Sequence, residues 1–147
     1  MGWYSTTSPP TRGGVMKKDW KKYYAKYKHK ILEYNKTPFR IASSAMNRCK
    51  RRSKAINVDF NLTNEYLQNI LPKDMICPIF NKKMILNQNK GKVDKFSLTI
   101  DRIDPNKGYI KGNVRWLSWL ANSMLNCANK EELIQFSKYL NNIKGEI

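Results

Sequence analysis

One histidine, His29, and three separated cysteines, Cys49, Cys77 and Cys127, are the only His and Cys residues in 147 residues. An odd count without a CxxC pair argues against a disulfide framework, and the want of His/Cys clusters argues against a structural zinc site. Acids are also scarce, with 11 Asp and Glu against 28 Lys and Arg. No apolar run approaches the roughly 18–20 residues that span a bilayer. The opening Met-Gly-Trp-Tyr-Ser lacks the apolar core of a signal peptide. These absences predict a soluble, intracellular chain with no membrane partner. Hydrophobic residues at 41% and aromatics at 12% predict a folded unit. The length suffices for one domain with a modest core and a short extension.

The positive charge is concentrated. Residues 1–58 hold 15 Lys or Arg and 2 acids, whereas residues 59–147 hold 13 and 9. Such asymmetry points to an anionic polymer or surface. Tyr and Trp interleave with the lysines and no large apolar face accompanies them, which favours nucleic acid over membrane.

Residues 1–15 read as a loose tail around Pro9-Pro10. From Met16 to Tyr34, Trp20, Tyr23, Tyr24, Tyr27, Ile31 and Tyr34 recur at helical spacing. Tyr23, Tyr24 and Tyr27 suit packing or nucleic-acid contact equally. Pro38 breaks the pattern, and a second basic helix is predicted over Phe39–Ala55. Its exposed side carries Arg48, Lys50, Arg51, Arg52 and Lys54, dense enough to contact phosphates.

Val58–Leu62 alternates as a short strand, and Thr63 is placed to cap a short helix ending before Pro72. Cys77 to Lys83 reads as a turn between extended pieces, with Cys77 a buried small residue. Asn87 to Lys92 is a polar loop. Phe96–Asp101 alternates as a strand, Asp104-Pro105-Asn106-Lys107-Gly108 signals a turn, and Gly112–Trp116 returns as a second strand. Ser118 caps a predicted helix through Asn126 that buries Leu117, Leu120, Ala121, Met124 and Leu125. Asn129 and Glu132 form a capping box for a last helix, with Leu133, Phe136, Leu140 and Ile143 on one face. Trp116 and Trp119, flanking the hairpin–helix junction, are expected in the core, with base stacking the alternative. The fold class is therefore α+β.

A hairpin folded on the helix after Ser118 would bring Asp101 to Asn122. One carboxylate and one amide oxygen are hard donors suited to a single Mg²⁺ or Mn²⁺, which takes few protein ligands beside water and phosphate oxygens. The helix N-terminus directs a positive dipole to the same place. Asn113 would tie the intervening loop to the second strand.

The run from Thr99 to Ser118, with Ala121-Asn122-Ser123 behind it, resembles the HNH segment of phage and homing-type endonucleases. The similarity extends upstream through Cys77-Pro78 and Asp59–Thr63 to the basic helix, covering roughly Phe39 to Leu140. The resemblance implies a ββα-metal finger, a β-hairpin packed on a helix. Asp101 and Asn122 would then hold one divalent ion, and Asn113 would brace the loop. The division it implies is a tail at 1–15, a basic helical extension at 16–57 and an HNH-like domain at 58–147. One departure stands out: Arg102 occupies the place of the family's general-base His. Arg stays protonated at neutral pH, so it would orient or stabilise the scissile phosphate instead. Asp104 is the alternative base, or else it caps the turn through its side chain.

The resemblance implies a metal-dependent endonuclease nicking or cutting double-stranded DNA in the cytoplasm of a host cell. Arg48, Lys50, Arg51, Arg52, Lys54, Lys111 and Arg115 are the expected nucleic-acid contacts. The alternative reading keeps the fold as a DNA clamp that lost its chemistry with the His. High Lys, Asn and Ile usage fits a viral, AT-rich source.

Overall fold

Proline and small polar residues punctuate the chain and set where its helices begin. The computed structural model describes residues 20–86 and 93–143. The tail expected at 1–15, the first residues of the opening helix and the polar loop at 87–92 lie outside them. Helix α1 spans Trp20–Asn35 and α2 spans Pro38–Ala55. Pro38 lacks the N–H that continuing α1 would need. Thr37 instead caps α2: its Oγ1 accepts from the Arg40 N–H at 3.4 Å and donates to the Tyr34 carbonyl at 2.7 Å. The buried face of α2 is a stripe of small residues, Ala42, Ala45, Cys49 and Ser53. Their spacing of three and four puts them on one side of the helix, where α2 packs on α3 and the hairpin.

Helix α3, Asn64–Asn69, starts at Thr63, whose hydroxyl accepts from the Tyr66 N–H at 3.2 Å. Strands β1 (Leu98–Arg102) and β2 (Val114–Ser118) pair antiparallel, with Ile100 opposite Trp116 and Asp101 opposite Arg115. Leu98, Ile100, Val114, Trp116 and Leu117 join the core with Leu67 and Met84. The Trp116 indole N–H donates to the Leu67 carbonyl at 3.2 Å, fastening the hairpin to α3. Ser118 ends β2 and caps α4 (Trp119–Cys127), its hydroxyl accepting from the Ala121 N–H at 3.3 Å. The same hydroxyl lies 3.3 Å from the buried Cys77 Sγ. Asn129 and Glu132 close the expected capping box at the start of α5, Lys130–Asn142. The architecture is mixed helix and sheet, with one two-stranded antiparallel hairpin and several helices. Among the described residues no helix is long and apolar enough to cross a membrane.

Three expectations are corrected. Val58–Leu62 is not a strand: only Phe60 pairs, with Tyr109. The segment is instead a docking rail for the hairpin loop, with Tyr109 N–H on the Asp59 carbonyl at 2.8 Å and Asn61 N–H on the Tyr109 carbonyl at 3.2 Å. Trp119 is 42% exposed rather than core, because the hairpin side of α4 is taken by Ala121 and Leu125. Met124 is exposed for the same reason. The apolar stripe of α5 is uncovered: none of its residues is buried, and Phe136 is 53% exposed.

Candidate functional site

The last residues of β1 carry Asp101 and Arg102, and α4 runs back across the hairpin. Asp101 is 7% exposed. Its cross-strand partner Arg115 holds it directly, with Nε 3.0 Å and Nη2 2.9 Å from Oδ2. Asn122 lies one turn into α4. Its Nδ2 donates to Thr99 Oγ1 at 3.1 Å and to the Ile100 carbonyl at 3.3 Å. A carbonyl only accepts, so this contact fixes which end of the amide is which. Asn122 Oδ1 accepts from Asn126 Nδ2 at 2.5 Å. Asp101, Arg102 and Asn122 line one cleft of about 500 Å³, together with Arg52, Trp119 and Cys127.

The loop between the strands is held from within and from below. Asn113, 5% exposed, accepts at Oδ1 from the Asp104 N–H at 2.9 Å. Its Nδ2 donates to the Asp104 carbonyl at 3.1 Å and the Gly108 carbonyl at 2.9 Å. Asn113 is thus a brace, as expected, and it does not line the cleft. From below, the Tyr66 hydroxyl accepts from the Gly112 N–H at 2.8 Å, and Asn61 Oδ1 accepts from the Lys111 N–H at 2.7 Å. Gly108 passes so close to the rail that a Cβ there would lie 2.1 Å from the Asp59 carbonyl oxygen.

Arg102 reaches along this loop. Its Nη1 donates to the Lys107 carbonyl at 3.1 Å, and its guanidinium lies 5.3 Å from the centre of the Tyr109 ring. Asp104 turns the other way, into the Pro105–Gly108 turn. Its Oδ1 accepts from the Asn106 N–H at 2.9 Å, and its Oδ2 lies 3.4 Å from Lys107 Nζ. The Asn106 N–H, helped by the Lys107 ammonium, holds the carboxyl below the usual carboxylate range. A weakened base that caps a turn and does not line the cleft is ill placed for proton abstraction. His29 is exposed on α1 and lines neither this cleft nor its neighbour.

The basic residues divide. Arg48 and Arg52, one turn apart on α2, face the hairpin: Arg52 lines the cleft and both line a second groove beside it. Arg48 is exposed as a residue, yet partial desolvation of its guanidinium along the groove wall holds it below its ordinary value, and the nearby Arg52 and Arg51 charges add to this. Lys50, Arg51, Lys54 and Lys111 are exposed and line neither cavity. Arg115, expected on nucleic acid, pairs with Asp101, since the strand register places the two directly opposite. Several members of the cleft were missed from sequence, among them Asn126, Trp119 and Cys127. Asn126 carried a usable signal, sitting four residues after Asn122 on the same helical face. The exposure of Trp119 carried none.

Among the described residues no group of three or more His, Cys, Asp or Glu is placed to hold a metal. Asp101 is the one carboxylate among the residues lining the cleft. One carboxylate and one amide oxygen form a hard, sparse donor set.

No family model matches this chain, and no solved structure matches it. Over 86 residues it is 37% identical to an "uncharacterized 29.0 kDa protein in dda-modA intergenic region" of Enterobacteria phage T4. The match covers 58% of this chain and 31% of that protein, so the chain spans less than a third of its relative's length.

Proposed function

We propose that this chain is a phage-encoded, divalent-metal-dependent endonuclease of the HNH type, with β1, β2 and α4 as its ββα-metal finger, nicking DNA inside a host cell. The observation that carries this reading is the sharing of one cleft by Asp101 and Asn122 with two guanidiniums, Arg52 and Arg102. The donor chemistry fits: a hard ion such as Mg²⁺ or Mn²⁺ needs only one or two protein oxygens beside water and phosphate. Asp101 and Asn122 would hold it. When bound, it would supply charge against the developing phosphorane and acidify a water.

The chain's own residues do the rest. Arg115 keeps Asp101 oriented within the buried sheet edge. Thr99 and Ile100 orient the Asn122 amide. Arg102, braced on Lys107 and Tyr109, presents a fixed cation to a phosphate at the mouth of the cleft. Arg52 approaches from α2. Asn113 keeps the loop that carries Arg102's anchor closed. The match to a phage protein supports the source.

A nicked-circle assay tests this. Wild type should relax supercoiled DNA slowly with Mg²⁺ or Mn²⁺. Asp101→Ala should abolish nicking while DNA binding persists, and Asn122→Ala should act less severely. Wild-type activity equal to that of Asp101→Ala in both metals would sink the enzyme reading.

A second reading has its own observation. Arg115 occupies Asp101 Oδ2 and Asn126 occupies Asn122 Oδ1. Both donors are thus already satisfied within the protein, as a metal-free DNA clamp would have them. The clamp predicts no nicking with either metal and salt-sensitive DNA binding throughout.

A further inference from the structure

Trp119 opens α4 and stays 42% exposed, although Trp side chains are usually well buried. It stands at a junction. Besides the cleft of Asp101, it lines a groove of about 730 Å³ between α1, α2 and β1. Arg52, Thr99, Ile100 and Trp119 line both spaces, so the groove and the cleft adjoin at the indole.

The groove's chemistry is one-sided. Its lining includes Arg40, Arg48 and Arg52 and no Asp or Glu. Among the described residues none of these three guanidiniums forms an ion pair. Arg48 donates to the Ser44 hydroxyl and Arg40 to the Asn35 amide oxygen, both neutral. Between the arginines the walls are apolar, with Ile41, Leu86 and Val93. Ser97, 2% exposed, also lines the groove, and its hydroxyl is buried with no hydrogen-bond partner among the described residues. Cations, an exposed indole and apolar walls suit a chemically mixed anion, with phosphate and flat ring together. The volume falls in the range of about 300–1,000 Å³ that accommodates compact organic ligands, far short of a duplex. Bases inside an intact duplex offer only their edges, whereas an unstacked base offers a π-face to an aromatic platform.

We propose that this groove receives an unstacked nucleotide, with Trp119 as its stacking platform and Arg48 and Arg52 on the flanking phosphates. The substrate would then be DNA with an unpaired stretch rather than a continuous duplex. The proposal deepens the reading above and rests on its premise that DNA occupies the Asp101 cleft.

Binding in EDTA tests it apart from chemistry. A labelled duplex with a three-nucleotide bulge is compared with the fully paired duplex, and a fluorescent 2-aminopurine replaces one bulged base in a parallel experiment. Wild type should prefer the bulged duplex and change the 2-aminopurine emission. Trp119→Ala should lose about 5- to 150-fold on bulged DNA, the range for one lost base stack. It should lose less on paired DNA, so that the preference collapses, and Trp119→Phe should restore most of it. Because Trp119 is exposed, a thermal melt should show all variants folded. Equal wild-type affinity for both duplexes, or an equal loss on both with Trp119→Ala, overturns the stacking site and leaves the nuclease reading standing. Absence of binding to either duplex overturns both. Failure to nick with metal, alongside a preserved bulge preference, overturns the nuclease reading alone.

Discussion

Arg115→Ala separates the structural from the chemical duty of Asp101. The carboxylate is 7% exposed and takes both contacts of the guanidinium on Oδ2, at 3.0 and 2.9 Å. A hydrogen bond to a charged group contributes roughly 1.5–3 kcal/mol, and breaking a fully buried pair costs about 3–5 kcal/mol. Arg115 is not fully buried: its side chain is 39% exposed, so water screens part of the interaction. The lower figure wins, and Arg115→Ala should cost about 2 kcal/mol. For a domain of this size that is a melting-temperature drop of about 4–8 °C.

The metal then provides the sign test. In wild type an entering cation competes with Arg115 for Asp101. In the variant the carboxylate stands alone, so millimolar Mg²⁺ should raise the melting temperature of Arg115→Ala more than that of wild type. The assay is thermal unfolding with and without Mg²⁺, extended to a cycle with Asp101→Asn. In the Asp101→Asn background the Arg115→Ala cost should shrink, because the charged pair is already gone. An equal cost in both backgrounds would refute the pairing argument. A Mg²⁺ response no larger than wild type's would refute Asp101 as a metal donor.

Gly108→Ala should destabilise by about 1–3 kcal/mol in urea, because the new Cβ meets backbone 2.1 Å away and the loop must lift off its rail; a neutral result would mean the loop does not dock on Asp59. Thiol labelling should map the cleft, since Cys127 is exposed and lines it while Cys49 and Cys77 are buried. Burial also pushes the Cys49 thiol up to about 11, leaving almost no thiolate at neutral pH. DNA should slow modification of Cys127, and labelling unaffected by saturating DNA would place the bound strand elsewhere.

The punctuation of the fold was legible because it is local. Thr63, Ser118 and the Asn129–Glu132 box cap their helices through contacts within four residues, and Pro38 separates α1 from α2. The hairpin was legible from alternation and a turn signal. What sequence did not show is set by packing across distance. Val58–Leu62 has strand-like alternation, yet its partner is a loop some 50 positions away, so one pairing forms and no ladder. Trp119 was expected in the core on residue type alone, but its place at the first turn of α4 faces the groove. Arg115 reads as a nucleic-acid contact until the register sets it across from Asp101. Asp104 kept two roles open until its carboxylate was found on the Asn106 N–H.

Among the described residues, the cleft of the proposed nuclease offers no free side-chain base. Of the described residues that line it, the one carboxylate is paired with Arg115, and a guanidinium such as that of Arg102 is a donor and not a general base. A positioned base is worth about a hundred- to ten-thousand-fold in rate. Forgoing it shifts the work onto placement and charge, which this chain has in excess. Arg102 is fixed at two points, Arg52 shares its cleft from α2, and Arg48 lines the adjoining groove. Placement carries most weight when the strand is pliant enough to be placed. An unpaired strand bends into a groove at little cost, whereas a duplex must first give up a base pair and its stacking. The missing base and the exposed Trp119 thus point the same way: a slow phosphodiesterase would derive its selectivity from which DNA can lay a nucleotide into the groove.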